Sequence, residues 1–458
     1  MRHFDLVIVG SGSGNSLPDE RFAEWDIALV EEGVFGGTCL NVGCIPTKMY
    51  VYAADVAREI ADSARYGIDA EMHKARWADI RDRVFGRIDP ISEGGRRYRA
   101  EETPNLTLYT GRGAFTGPRR MAVAVSGGGT EEFTADRFVL AAGSRATAPA
   151  TVLEGGVRYH TSDTIMRMDE LPASLIVLGG GYIGAEFAHV FSALGTEVTV
   201  VTRGDRLLRH LDETIAERFT AQAGQRWDLR VKAAPVRCAY AGSRVHLELA
   251  DETSADGDQL LVATGRVPNS DRLNLPAAGV TTHPDGRVVV DDYQRTSADG
   301  IYALGDLSSP FQLKHVANHE ARVVAHNLLH PRSPRRTDHR FVPSAVFTSP
   351  QIAAVGLTEA QCRARGEEYL SVVQEYSSVA YGWAMEDTAG FCKLLADRRE
   401  GRLLGAHLMG AQASTLIQPL IQAMSFGLSA PEMATGQYWI HPALPEVIEN
   451  ALLALPLG

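Results

Sequence analysis

Cys39 and Cys44 stand with four residues between them in Gly36-Gly37-Thr38-Cys39-Leu-Asn-Val-Gly-Cys44-Ile-Pro46-Thr-Lys48. So close a pair is suited to redox work, because a short loop closed by a disulfide is strained and readily reduced. A structural staple fits poorly in a chain of intracellular character, where low-molecular-weight thiols keep ordinary disulfides open. A metal half-site would need a second Cys or Cys/His pair to complete a tetrahedron, and the sequence offers none. Pro46 suits the first turn of a helix expected from about Thr47 to Arg65, whose positive end would lower the pKa of Cys44 and favour its thiolate. The other cysteines, Cys238, Cys362 and Cys392, show no paired spacing and are expected to be packing residues.

A working dithiol needs an electron source, and two segments read as strand, glycine turn and helix of the dinucleotide-binding kind. In the first, a strand from Phe4 to Val9 precedes Gly10-Ser-Gly12-Ser-Gly14-Asn15, and a second strand, Ile27 to Val30, ends in Glu31. The glycines admit a pyrophosphate, a helix N-terminus would face its charge, and Glu31 can accept ribose hydroxyls. Asn15 stands where a third glycine is usual. The second segment runs from Leu175-Ile-Val-Leu178 through Gly179-Gly-Gly181-Tyr-Ile-Gly184-Ala-Glu186 and a helix to about Leu194, into a strand Glu197 to Val201. There Thr202-Arg203 replaces the usual acidic residue, and Arg206 and Arg209 follow. Guanidinium groups at this point bind a 2′-phosphate, so NADPH is expected rather than NADH. Strands ending at Gly143, Gly265 and Gly305-Asp306 belong with these folds, Asp306 being placed to reach a flavin's ribityl or phosphate region. From about Phe341 the pattern changes to mixed strands and helices, including strands 344–347, 391–396 and 403–409 and helices 358–365 and 415–427. This follows a Pro- and Arg-rich stretch at 330–340.

The 458 residues suffice for about three domains on the usual length prior. A formal net charge of −11 argues against a nucleic-acid partner. The first apolar run is too short for a membrane span and lacks signal-peptide flanks, so no membrane association and a cytoplasmic location are expected. Of the 45 basic residues only five are lysines, at 48, 74, 232, 314 and 393, an arginine bias of the kind a GC-rich genome produces.

Together these residues resemble the class I pyridine nucleotide-disulfide oxidoreductases over essentially the whole chain. The resemblance implies an α/β fold with two Rossmann-like domains, for FAD and NADPH, and a C-terminal α+β dimerisation domain. It divides the chain into FAD segments 1–150 and 266–335, an NADPH domain 151–265 and an interface domain 336–458. It implies that Cys39 attacks a small-molecule disulfide substrate and that Cys44 contacts the flavin. Gly37 and Thr38 join the cofactor contacts. Lys48 and Glu186 match an ion pair on the nicotinamide side. His441 and Glu446, in Trp-Ile-His441-Pro-Ala-Leu-Pro-Glu446, match an acid/base dyad donated across a homodimer interface. Such a dyad suits the chemistry, since a histidine oriented by a carboxylate protonates a leaving thiolate near neutral pH. Four runs, at 10–16, 313–324, 381–387 and 437–446, match the branch that reduces mycothiol disulfide, where Asn15 is at home. Dihydrolipoyl dehydrogenase or another low-molecular-weight disulfide reductase is the alternative, although the former would carry an acidic residue near Thr202. Mercuric reductase and high-molecular-weight thioredoxin reductase would show a C-terminal cysteine pair, which 451–458 lack. From a different class, a docking subunit of a multienzyme complex would want a lipoyl-type domain or a flexible linker, and neither is found.

Overall fold

The computed structural model describes residues 1–457. Its N-terminal sheet has a parallel core in which Arg2–Val9 pairs with Ile27–Glu31 on one side and with the end of Thr130–Leu140 on the other. The start of Leu106–Gly117 and the short strand Ile301–Ala303 close the two edges. Both long strands run on out of this core and join Arg120–Val125 in an antiparallel meander. The strands alternate little and are buried on both faces, Leu6, Val7 and Ile8 being fully inaccessible, as parallel strands between layers must be. A second parallel sheet runs in the order Gln259–Val262, Ser174–Leu178, Glu197–Val201, Asp228–Arg230. The C-terminal part is a five-stranded antiparallel sheet in which Leu403–Gly410 and Phe391–Asp397 are central. The helical run expected at 415–427 is interrupted: Ala413–Leu416 ends and Gln418–Phe426 begins afresh, with Pro419 in its first turn.

The two glycine turns are built alike at their start and differently afterwards. Gly10 (φ +106°) and Gly179 (φ +132°) each press on the carbonyl beyond a neighbouring strand, so that a Cβ would lie 2.3 Å from Ala141 O in one and 2.2 Å from Ala263 O in the other. After the second turn a helix, Tyr182–Ala193, follows directly. It packs so tightly that a Cβ on Gly184 would stand 2.3 Å from Gly179 O. After the first turn the expected helix is absent. Residues 10–26 hold only two single 3₁₀ turns, Gly14–Ser16 and Glu20–Phe22. Pro18 accounts for the break, because it offers no N–H to continue the ladder and its ring would crowd the carbonyl four residues earlier, while Leu17 itself keeps helical dihedrals. With no helix to seat, the third glycine is dispensable, and Asn15 occupies its place.

The dithiol helix, Cys44–Asp62, crosses against Tyr182–Ala193 of the second unit. Tyr50, Trp77 and Phe191 form an aromatic ladder with centroids 5.0 and 5.3 Å apart. Buried His189 meets Asp55 at 2.8 Å across the same contact. Each buried aromatic side chain contributes about 1.5–3 kcal/mol of burial, and the dithiol helix and Trp77–Arg97 share a core with the second unit while the N-terminal sheet keeps its own. The C-terminal sheet is tied to the second unit by Lys393, whose buried ammonium reaches Asp212 at 2.8 Å, Glu359 at 2.6 Å and Thr214 at 3.0 Å. Arg218 adds a bidentate pair to Glu375, both bonds 2.8 Å. No helix among the described residues is long and apolar enough to cross a membrane.

Candidate active site

Cys39 lies in the short helix Gly37–Asn41, entered through Gly36 at φ +99°, and Cys44 is the first residue of the dithiol helix. Both thiols are free, as are the buried Cys238, Cys362 and Cys392. The Cys44 thiol donates to the Cys39 sulfur, and this bond outweighs the cost of burial. With the charge of Lys314 and the amides of Cys44 and Ile45, it holds the Cys39 pKa down to about 7. Cys44 moves the other way, because it carries the shared proton, is desolvated, and feels the negative charge of Cys39 and of Glu186. The sequence expectation that the helix favours a Cys44 thiolate is therefore corrected. The first-turn amides of Cys44 and Ile45 reach the neighbouring Cys39 sulfur and help to lower its pKa.

Lys48, one turn beyond Cys44, and Glu186 face the same region but do not form the expected ion pair. Phe347 occupies both: its amide donates to Glu186 Oε1 at 2.9 Å, and Lys48 Nζ lies 4.1 Å from its ring centroid. Burial pushes the Glu186 carboxyl up to about 7 against the pull of the Phe347 amide and of Lys48. Burial likewise lowers Lys48, opposed by Asp55 and Glu186. The two groups thus influence each other through space without a direct bond.

Around the dithiol the two glycine turns leave room for dinucleotides. A Cβ on Gly12 would meet only Gly37 Cα, at 3.7 Å, and one on Gly143 or Gly181 would meet nothing within 4 Å; at Gly265 the nearest atom is 3.9 Å away. Such cradles fit a close-approaching pyrophosphate. Glu31 braces the first cradle: its carboxylate accepts from Ser11 N at 2.7 Å, Ser11 Oγ at 2.6 Å and Gly33 N at 2.7 Å. Acceptor capacity remains for a ribose hydroxyl. Ser11 Oγ in turn accepts from Gly36 N at 2.8 Å, coupling this turn to the loop that holds Gly37, Thr38 and Cys39. Asp306 accepts from Ser144 Oγ at 2.6 Å, and buried Glu320 fixes the preceding Gly305 amide at 2.7 Å. Beyond the second turn, Arg206 is taken up by Asp205 and Glu217. Arg203 and Arg209 are exposed and, among the described residues, have no carboxylate partner.

His441 and Glu446 form the expected dyad. Nδ1 lies 2.7 Å from Glu446 Oε1, and Ala443 N donates to Oε2 at 3.1 Å. The bond from His441 lowers the Glu446 pKa, so the carboxylate accepts from Nδ1–H and Nε2 is left without a hydrogen-bond partner among the described residues. Within one chain no hydrogen bond joins this imidazole to either thiol. Its side chain is 72% exposed, and nearby Tyr438, Ile440 and Phe426 are exposed apolar groups. Three contributors went unread in the sequence. Tyr182 opens the second helix, Phe347 intervenes between Lys48 and Glu186, and Lys314 stands beside Cys39. Each is a lone residue whose importance lies in long-range placement.

Residues 4–321 match the family model described as pyridine nucleotide-disulphide oxidoreductase, and residues 342–452 match the model of its dimerisation domain. Mycothione reductase of Mycobacterium tuberculosis is 59% identical over 99% of this chain and 100% of its own length. Dihydrolipoyl dehydrogenase of Mycobacterium bovis is 31% identical over 99% of this chain and 98% of its own. The HOCl-induced flavoprotein disulfide reductase RclA from Escherichia coli superposes with a TM-score of 0.87 at 27% identity, covering 98% of this chain and 99% of that one.

Proposed function

The chain belongs to the pyridine nucleotide-disulphide oxidoreductases, and on that footing we propose that it reduces mycothiol disulfide to two mycothiols at the expense of NADPH. The observation that carries the reaction is the placement of two free thiols together, Cys39 in the short helix Gly37–Asn41 and Cys44 at the first position of Cys44–Asp62. The substrate is supported by end-to-end likeness to a mycothione reductase.

Bound FAD supplies two-electron transfer between a nicotinamide and the dithiol. Gly10, Gly12 and Gly14 would face its pyrophosphate, Glu31 its ribose and Asp306 its ribityl side. Gly179, Gly181 and Gly184 would cradle NADPH, with Arg203 and Arg209 free to hold its 2′-phosphate. In the reduced enzyme the Cys39 thiolate attacks one sulfur of the substrate, forming a mixed disulfide and releasing one mycothiol thiolate. His441 of a second subunit, oriented by Glu446, protonates that leaving group. The Cys44 sulfur then attacks the Cys39 sulfur of the mixed disulfide, its proton passing to the second mycothiol thiolate as that group leaves, and a Cys39–Cys44 disulfide remains. The reading assigns FAD segments 1–150 and 266–335, an NADPH domain 151–265, a dimerisation domain 336–458 and a cytoplasmic location.

The test is NADPH oxidation by purified, FAD-loaded protein with mycothiol disulfide, glutathione disulfide and lipoamide side by side, and with NADH as control. Preference for mycothiol disulfide with NADPH is expected, and Cys39→Ser should abolish it while flavin stays bound. Turnover of lipoamide with NADH would overturn both the substrate and the role given to Arg203.

A further inference from the structure

The first glycine turn lacks the helix that ordinarily offsets pyrophosphate charge, so something else in the fold must face the two phosphates. A different helix reaches the spot. Lys314, first residue of Lys314–Leu329, donates from Nζ to Ser13 Oγ at 2.9 Å, and Ser13 Oγ–H donates to Asn318 Oδ1 at 3.2 Å, one turn further along the same helix. Arg99 approaches from the opposite side, donating to Asn15 Oδ1 at 2.8 Å, Asn15 O at 2.8 Å and Pro18 O at 2.9 Å. The first turn of Lys314–Leu329 contains no acidic residue. Among the described residues neither Lys314 nor Arg99 has a carboxylate within ion-pair distance, whereas most arginines of this chain do, and its net charge is −11. Two partly buried cations with only neutral oxygen partners, converging on one open glycine turn, constitute a site for an anion.

We infer that Lys314 is a cofactor-binding residue: its ammonium, tethered by Ser13, supplies the positive charge to the FAD pyrophosphate that a helix following the first glycine turn would otherwise supply. Arg99 holds the shortened turn in shape and adds to the same field. Lys314 is well placed for a second effect, since its charge also favours the Cys39 thiolate. The inference rests on FAD occupying the first turn, and the experiment separates the two claims.

Apoprotein stripped of FAD is titrated with FAD, and binding is followed by quenching of flavin fluorescence, for the wild type, Lys314→Met, Lys314→Arg and Ser13→Ala. Far-UV circular dichroism of each apoprotein checks folding, and Lys314→Gln replaces the Met variant if that one does not fold. Loss of one charge-assisted hydrogen bond predicts that Lys314→Met weakens FAD binding by roughly ten- to a hundredfold. Lys314→Arg should recover most of that loss, and Ser13→Ala should cost less than Lys314→Met. Equal FAD affinity in Lys314→Met and the wild type overturns the inference while leaving the flavoenzyme reading intact. An arginine variant as weak as the methionine one also overturns it, since charge would then be irrelevant. Failure of the wild-type apoprotein to bind FAD would instead bring down the reading on which the inference rests.

Discussion

At the scale of single residues, the chemistry depends on groups held away from their ordinary protonation. Glu186 is the clearest case. Burial raises its pKa from 4.5 to about 7, while in the unfolded chain it ionises near its ordinary value. Between those limits the native state holds the proton that the unfolded state has lost, so stability falls as pH rises. The contribution of protonated Glu186 is fully present below about pH 4.5 and gone above about pH 7. Denaturation midpoints measured across that window should fall for the wild type relative to Glu186→Gln, and parallel profiles would contradict the assignment. Arg203 makes a second prediction. Replacing it by Asp should raise KM for NADPH by roughly tenfold or more, the worth of a charge-assisted phosphate contact, with little change for NADH. Steady-state kinetics with both nucleotides check it, and unchanged discrimination would leave Arg209 as the determinant. The dithiol is legible as a local spacing, whereas the His441–Glu446 pair is legible only through the family resemblance. The direction of the thiol shifts is not legible, because it depends on which sulfur the amides of Cys44 and Ile45 face. Lys314, Tyr182 and Phe347 carry no spacing at all.

At the scale of elements, sequence pattern located the second nucleotide turn well, since strand, turn, helix and strand all follow from local signals there. At the first turn the glycine-turn pattern implies a helix that the structure lacks, and Pro18, which cannot donate to a helical ladder, is the local signal against it. Asn15 then looks like a defect although it follows from the missing helix. The Lys48–Glu186 pair failed for another reason, because Phe347 reaches the gap from 161 residues away in sequence from Glu186. The tie between the second nucleotide unit and the C-terminal sheet was likewise invisible. Asp212 is fully buried. Burial alone would raise its pKa, but His407, the Glu359 amide and Lys393 outweigh it, and the carboxylate stays ionised. Lys393→Met should therefore cost about 3–5 kcal/mol, because it strands a buried charge. Pairing it with Asp212→Leu should recover much of the loss. Chemical denaturation of both variants measures this, and a double variant no better than the single one would contradict it.

At the scale of the whole molecule, one chain carries both the dithiol and the proposed His441–Glu446 dyad without a hydrogen bond between them. The His441 imidazole is largely exposed beside Tyr438 and Ile440, and the polar neighbours of Cys39 are Cys44 and Lys314. The match to a dimerisation domain supports the proposal that each dyad serves the dithiol of the other subunit. The most direct measurement is complementation between Cys39→Ser and His441→Ala, each nearly inactive alone, after co-expression or mixed reassembly in equal amounts. A mixed dimer then has one intact centre, with Cys39 from the His441→Ala subunit and His441 from the Cys39→Ser subunit. Random pairing predicts disulfide reductase activity of about one quarter of the wild type. Activity no higher than that of the two parent variants would contradict the account, because it would place thiol and imidazole in the same chain.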